Sequence, residues 1–235
     1  MKIPSIVKTI QKQPIQEINY AFHKTISYSQ FSIYHECPHK WELQYVSGLQ
    51  KDQSTIHTVF GTAMHSAIQH YLTLAYNESA AAADRFDLET FFEDEFRKTY
   101  LEEYKANKDT HFTNAVEMRE FFDDGIAIIN YFKKKRGNYF SKQGWYLVAC
   151  ELPIVIMPNN AFKNVLYKGF IDLIMYHEPT NTFKVYDFKT STRGWNEDTK
   201  KDERKQFQVL FYKKYFSEQY NIPLIKYEMK FTMSA

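Results

Sequence analysis

A chain of 235 residues with 44% apolar and 25% charged content is long enough to bury a core unaided and reads as one soluble globular domain. Its formal net charge of +2 carries no signal for an acidic partner, so any nucleic-acid contact has to come from local basic patches. Two cysteines, Cys37 and Cys150, cannot build a four-thiolate zinc or iron–sulfur centre, and both read as buried thiols.

No run approaches the apolar length of a membrane span, and the N-terminal MKIPSIVKTIQKQ lacks a signal-peptide core, so the expected location is the cytoplasm. The aromatic content of 17% predicts a large aromatic core with only a few rings left to stack on bases.

Residues 1–26 read as an extended N-terminal arm with one strand over 15–22. Ser27 or Ser29 caps a first helix, Pro38 opens a second and Gly48 closes it, which places Phe31, Tyr34, Trp41 and Tyr45 on core-facing positions. After Gly61 a helix carries Met64, Ile68, Tyr71, Leu72 and Ala75 as one apolar stripe. His65 lies beside that stripe near the helix start, as a core or capping residue or as a ligand, while His70 falls on another face. A polar, Ala-rich loop (NESAAAADRFD) leads to helices over 88–105 and 113–136. The run Lys133-Lys134-Lys135-Arg136 then complements the helix dipole or contacts phosphate, with Gly137 as C-cap.

From Trp145 the period changes to two. WYLVACELPIVIM is a strand with Glu151 in its middle, and YKGFIDLIMY and TFKVYDF form a hairpin around the turn formers at 177–181. Symmetry about the Pro179–Thr180 bond pairs Ile174 with Val185 and Tyr176 with Phe183, and it sets Asp172 opposite Asp187. Facing carboxylates repel, so they need a counter-charge such as a divalent cation, and Lys189 follows two residues on. The competing reading makes both acids surface charges at a sheet edge, with Lys189 as their ion-pair partner.

Beyond the polar loop at 190–201, which holds Arg193, Gly194 and Trp195, a helix over 203–220 carries Gln208 and Tyr212 four apart on one face, with Arg204, Lys205, Lys213 and Lys214 as its basic residues. A last strand, LIKYEMKFTM, follows. The order of elements predicts an α+β domain with a mixed sheet. The absence of a G-x-x-x-x-G-K-[ST] loop argues against an ATP-driven motor in this chain.

Taken in order, SYSQFSIYHECPHKWELQYVSGL, GTAMH, CELPI, GFID, DFK and QVLFY resemble the PD-(D/E)xK nuclease superfamily, and within it the RecB-like exonuclease branch that includes phage exonucleases and CRISPR-associated RecB-like nucleases. The resemblance implies a restriction-endonuclease-like core with a central mixed sheet flanked by helices. A helical N-terminal half would precede it, within one nuclease domain over 27–235 (helical part 27–136, catalytic core 145–235). It implies a deoxyribonuclease, and an exonuclease acting on single strands or duplex ends in recombination, repair or phage DNA processing. The host cytoplasm is the location if the chain is phage-encoded, and a helicase or recombination protein is the expected partner. Competing readings are a non-catalytic nucleic-acid-binding recombination subunit and a structure-specific or RNA endonuclease with the same site.

By the same resemblance His65, Asp172, Asp187 and the Phe188 carbonyl hold the metal, and Lys189 orients the attacking water or steadies phosphate charge. Gln208 and Tyr212 hold the motif lysine and the DNA backbone, and Glu151 fills the acidic position before the hairpin. Hard oxygen donors with one imidazole suit Mg²⁺ or Mn²⁺, which polarise a phosphoryl oxygen and generate hydroxide near neutral pH. Cys37 matches the first cysteine of the iron–sulfur cluster that many RecB-like nucleases carry, but no cysteine follows Cys150, so no cluster is expected here.

Overall fold

Short polar side chains set where the helices of this chain begin, because each accepts a bond from an otherwise orphaned backbone N–H. In the computed structural model, which describes residues 3–49, 54–140, 143–158, 164–189, 203–223 and 227–229, this role falls to Ser27, Thr55, Ser79, Asp87 and Asn114. The chain divides into two compact units.

The first unit takes in residues 1–52, 148–187 and 196–230. Helix α1 (Ser5–Lys12) buries Val7 and Ile10, and strand β1 spans Lys24–Ile26, so the expected extended arm is a helix and the expected strand over 15–22 lies further on. Helices α2 (Tyr28–Glu36) and α3 (Pro38–Trp41) run into a π-helical turn, Glu42–Val46, that ends at Gly48 with φ 62°.

None of these three elements buries a residue, contrary to the core positions expected of their aromatics. Tyr34 is 52% exposed and packs edge-on against Trp41, their ring centres 5.6 Å apart, so the rings cover one another. Cys37 is exposed and Cys150 half-buried, which corrects the expectation of two buried thiols.

Strands β2 (Trp145–Ile156), β3 (Val165–His177), β4 (Thr182–Tyr186) and β5 (Tyr227–Met229) complete a mixed sheet in the order β1-β3-β4-β5, with β2 against β3. The β3–β4 pair is antiparallel and the β1–β3 and β4–β5 pairs are parallel. A parallel neighbour needs a crossover, which helix α8 (Glu203–Tyr220) provides between β4 and β5. The rest of the expected last strand and the loop with Arg193, Gly194 and Trp195 lie outside the described residues, as do the side chains of Arg204 and Lys205.

Helix α8 covers one face of the sheet through rings. Phe216 meets Phe183, while Tyr215 and Phe211 stack on Tyr167 at 4.2 and 5.8 Å. Phe183 is the cross-strand partner of Tyr176, and Tyr167 lies an odd number of residues before it. Strict alternation cannot turn both to α8, so the side-chain phase of β3 shifts by one residue between its β1 ladder and its β4 ladder.

The second unit takes in 53–147 and 188–195 and is helical. Helix α4 (Ile56–Asn77) buries Met64, Ile68, Tyr71, Leu72 and Ala75 as expected, but it begins before Gly61. The Ala-rich stretch expected as a loop is a short helix, α5 (Ala80–Arg85). Helix α6 (Leu88–Ala106) is followed by α7 (Ala115–Tyr139), which runs through Gly137 instead of ending there.

Arg136 is bound to Tyr71 and Asp84, and this ties α7 to α4 and α5. Burial raises the Tyr71 phenol to about 12, helped by its bond to Asp84 and opposed by Arg136. Burial works against the Asp84 carboxylate, yet the bonds from Tyr71 and Arg136 hold it below the usual range. No helix among the described residues is long and apolar enough to cross a membrane.

Candidate active site

Local turn chemistry sets the hairpin. Pro179 presets one turn residue, Asn181 takes the left-handed conformation at φ 52°, and the Asn181 N–H donates to the Glu178 carbonyl at 3.1 Å. The ladder pairs Tyr176 with Phe183, Ile174 with Val185 and Leu173 with Tyr186. One step further brings Asp172 level with Asp187, the first residue past the end of β4. Asp172 is 8% and Asp187 2% exposed, at the end of a stripe formed by Ile174, Val185, Tyr176 and Phe183. Such burial rules out the reading of both acids as solvated sheet-edge charges.

Helix α8 supplies the neighbours of Asp187. The Gln208 amide donates both to Asp187 Oδ1 and to the Tyr212 hydroxyl, each at 3.0 Å. This bond to the Asp187 carboxylate comes in addition to the hold on the motif lysine and the DNA backbone that the resemblance implies for Gln208 and Tyr212. The i, i+4 spacing on one helical turn makes the double contact possible. Burial pushes the Tyr212 phenol far above its ordinary range, against the Gln208 bond and with the charges of Asp187 and Asp172, so it keeps its proton. Lys214, further along α8, pairs with Glu218 at 3.3 Å as an ordinary surface ion pair.

Glu151 lies within β2 at φ 49°, a conformation that costs an L-residue about 1–2 kcal/mol. Its side chain is exposed, and its carboxylate offers an oxygen within 4.8 Å of one from Asp172. Strain of this kind persists only where the surroundings hold it. The carboxylates of Glu151 and Asp172, one exposed and one buried, are a hard-oxygen pair that suits a divalent cation.

In the other unit His65 lies in the third turn of α4, not near its start, because the helix begins at Ile56. Its Nε2 is 2.9 Å from the Phe188 carbonyl oxygen, and its ring meets the Phe188 ring edge-on. Ligands at ~2.1 Å in an octahedron stand about 3 Å apart, so this separation suits adjacent donors on one cation as well as a hydrogen bond. His70 faces elsewhere and stacks on Phe91 at 4.5 Å. Phe188 is buried and Lys189 half-buried. The chain passes from one unit to the other at the Asp187–Phe188 bond, so the sequence motif itself spans both.

None of the curated proteins matches this sequence. A family model described as the PD-(D/E)XK nuclease superfamily matches residues 25–229. The α+β architecture, the mixed sheet and the acids at the end of its central hairpin agree with the restriction-endonuclease-like fold. The chain belongs to the PD-(D/E)XK nuclease superfamily, whose chemistry is divalent-metal-dependent hydrolysis of nucleic acid.

Proposed function

We propose that this protein is a RecB-like, Mg²⁺- or Mn²⁺-dependent deoxyribonuclease that degrades DNA from ends, in recombination, repair or phage DNA processing within the cytoplasm. The observation that carries the reading is the buried acid pair, with Asp172 and Asp187 brought level by the hairpin register and Gln208 fixed on Asp187. The family match runs through both compact units, which supports one nuclease domain over 27–235.

In this reading His65, Asp172, Asp187 and the Phe188 carbonyl hold the metal, and Glu151 serves Asp172 from the strained position in β2. Because Asp187 is covalently followed by Phe188, whose carbonyl engages His65, the peptide joins the acid to the imidazole. A divalent cation held by these residues would supply Lewis-acid charge to a phosphoryl oxygen and lower the pKa of the attacking water. Lys189 adds a fixed positive charge for the developing phosphorane, Gln208 keeps Asp187 oriented, and Tyr212 stays protonated as a donor. With no ATP-binding loop in the chain, a helicase or recombination protein supplies any unwinding.

The test compares labelled linear duplex, circular single-stranded DNA and RNA, each with Mg²⁺, Mn²⁺ or EDTA, for wild type and Lys189→Ala. Loss of label from linear DNA ends with metal, intact circles and RNA, and no cleavage by Lys189→Ala are expected. Cleavage in EDTA, or full activity of the variant, would overturn the assignment.

A further inference from the structure

An exposed aromatic patch stands apart from the acids and has no part in the chemistry above. Tyr20 and Phe22, on the turn before β1, are 67% and 60% exposed, and Phe170 of β3 is 45% exposed. The Lys168 ammonium donates to the Tyr20 hydroxyl at 3.4 Å and lies 5.9 Å from the centre of the Phe170 ring. One cation is thus held between two solvent-facing rings. Phe22 meets His23 edge-on at 5.0 Å, and Lys24 beside it is exposed. Residues 18–26 and 164–171, the two segments that build the patch, contain no acid.

Open rings interleaved with ammonium groups are how proteins grip unpaired bases and their phosphates, since the base faces of a duplex are already stacked. A protein partner fits less well, because lysine is depleted from the cores of such interfaces and here an ammonium stands at the centre. Phe170 precedes Asp172 by two residues of β3, about 7 Å along the strand. We propose that Tyr20 and Phe170, arranged around Lys168, form a stacking platform for single-stranded nucleic acid, with Phe22 exposed on the same turn as Tyr20. The proposed nuclease then takes hold of the unpaired strand at the DNA ends it degrades, an assignment that rests on that reading.

Binding of the full-length protein to fluorescein-labelled oligothymidine and to a blunt hairpin duplex is measured by anisotropy in EDTA, where nothing is cleaved. Phe170→Ala and Tyr20→Ala are each expected to weaken single-strand binding about tenfold and duplex binding less than about twofold, and Phe170→Trp to restore it. Lys168→Ala should lower the slope of log K against log salt by about 0.7, one single-strand phosphate contact.

Circular dichroism melts confirm that the variants fold. Unchanged single-strand affinity in every aromatic variant overturns the platform, as does equal loss on both probes. A wild-type dimer in light scattering that the same variants turn into monomers reassigns the patch to self-association. Because binding is read without turnover, selective single-strand loss in a protein that cleaves nothing upholds the platform and removes the nuclease reading. Cleavage with unaltered binding does the reverse.

Discussion

Replacing Asp187 with asparagine separates the two demands placed on that position. The side chain keeps its size and its Oδ1, so the bond from Gln208 survives, while the charge beside Asp172 is removed. Relief of like-charge repulsion across a strand pair is worth about 0.2–1 kcal/mol. In EDTA the variant should therefore melt at or slightly above the wild-type temperature.

Metal reverses the order. A ligand at a hundred times its dissociation constant stabilises the folded state by about 2.7 kcal/mol. For 235 residues, at ~2.1 cal/mol/K of unfolding entropy each, that is an upward shift of about 5 °C in wild type. Asp187→Asn should lose most of that shift together with cleavage. Scanning calorimetry in EDTA and in saturating MgCl₂ or MnCl₂, paired with a cleavage assay, reads both effects. A variant that unfolds several degrees early in EDTA would make Asp187 a structural residue, and one that keeps the full metal shift would remove it from the ligand set.

Two further outcomes concern the helical unit. The Tyr71 phenol sits at about 12 in the folded protein against ~10 when unfolded, so its contribution is complete below pH 10 and lost as pH rises through 12. Tyr71→Phe should flatten the alkaline fall in urea stability across that window, by up to about 2 kcal/mol, and parallel curves for the two proteins would contradict the burial argument. Glycine-to-alanine changes in α7 should have opposite signs. At Gly125 a methyl would overlap the Phe92 ring and destabilise by about 1–3 kcal/mol, whereas at Gly137 it meets nothing within 4 Å and should stabilise by up to about 1 kcal/mol. Thermal melts decide this, and equal effects at the two sites would refute it.

What could be read without coordinates is what neighbours along the chain determine. The turn at 178–181 and the period-two pattern on either side were enough to predict the pairs Ile174–Val185 and Tyr176–Phe183, because a one-residue slip would turn the whole apolar set out of the core. The bounds of α8 and the shared face of Gln208 and Tyr212 followed from helical spacing in the same way. Tertiary contacts decided the rest. Helix α1 is too short to be stable alone and forms where Val7 and Ile10 find a core. The phase shift in β3 arises because distant residues of α8 claim Tyr167 and Phe183 together, and the exposure of Tyr34 because its cover is another ring. Glu151 has an ordinary strand sequence around it, and only the packed sheet holds it left-handed with its carboxylate near Asp172. Local pattern determines register and face, but burial and backbone strain belong to groups far apart in the chain, and these only the folded structure brings together.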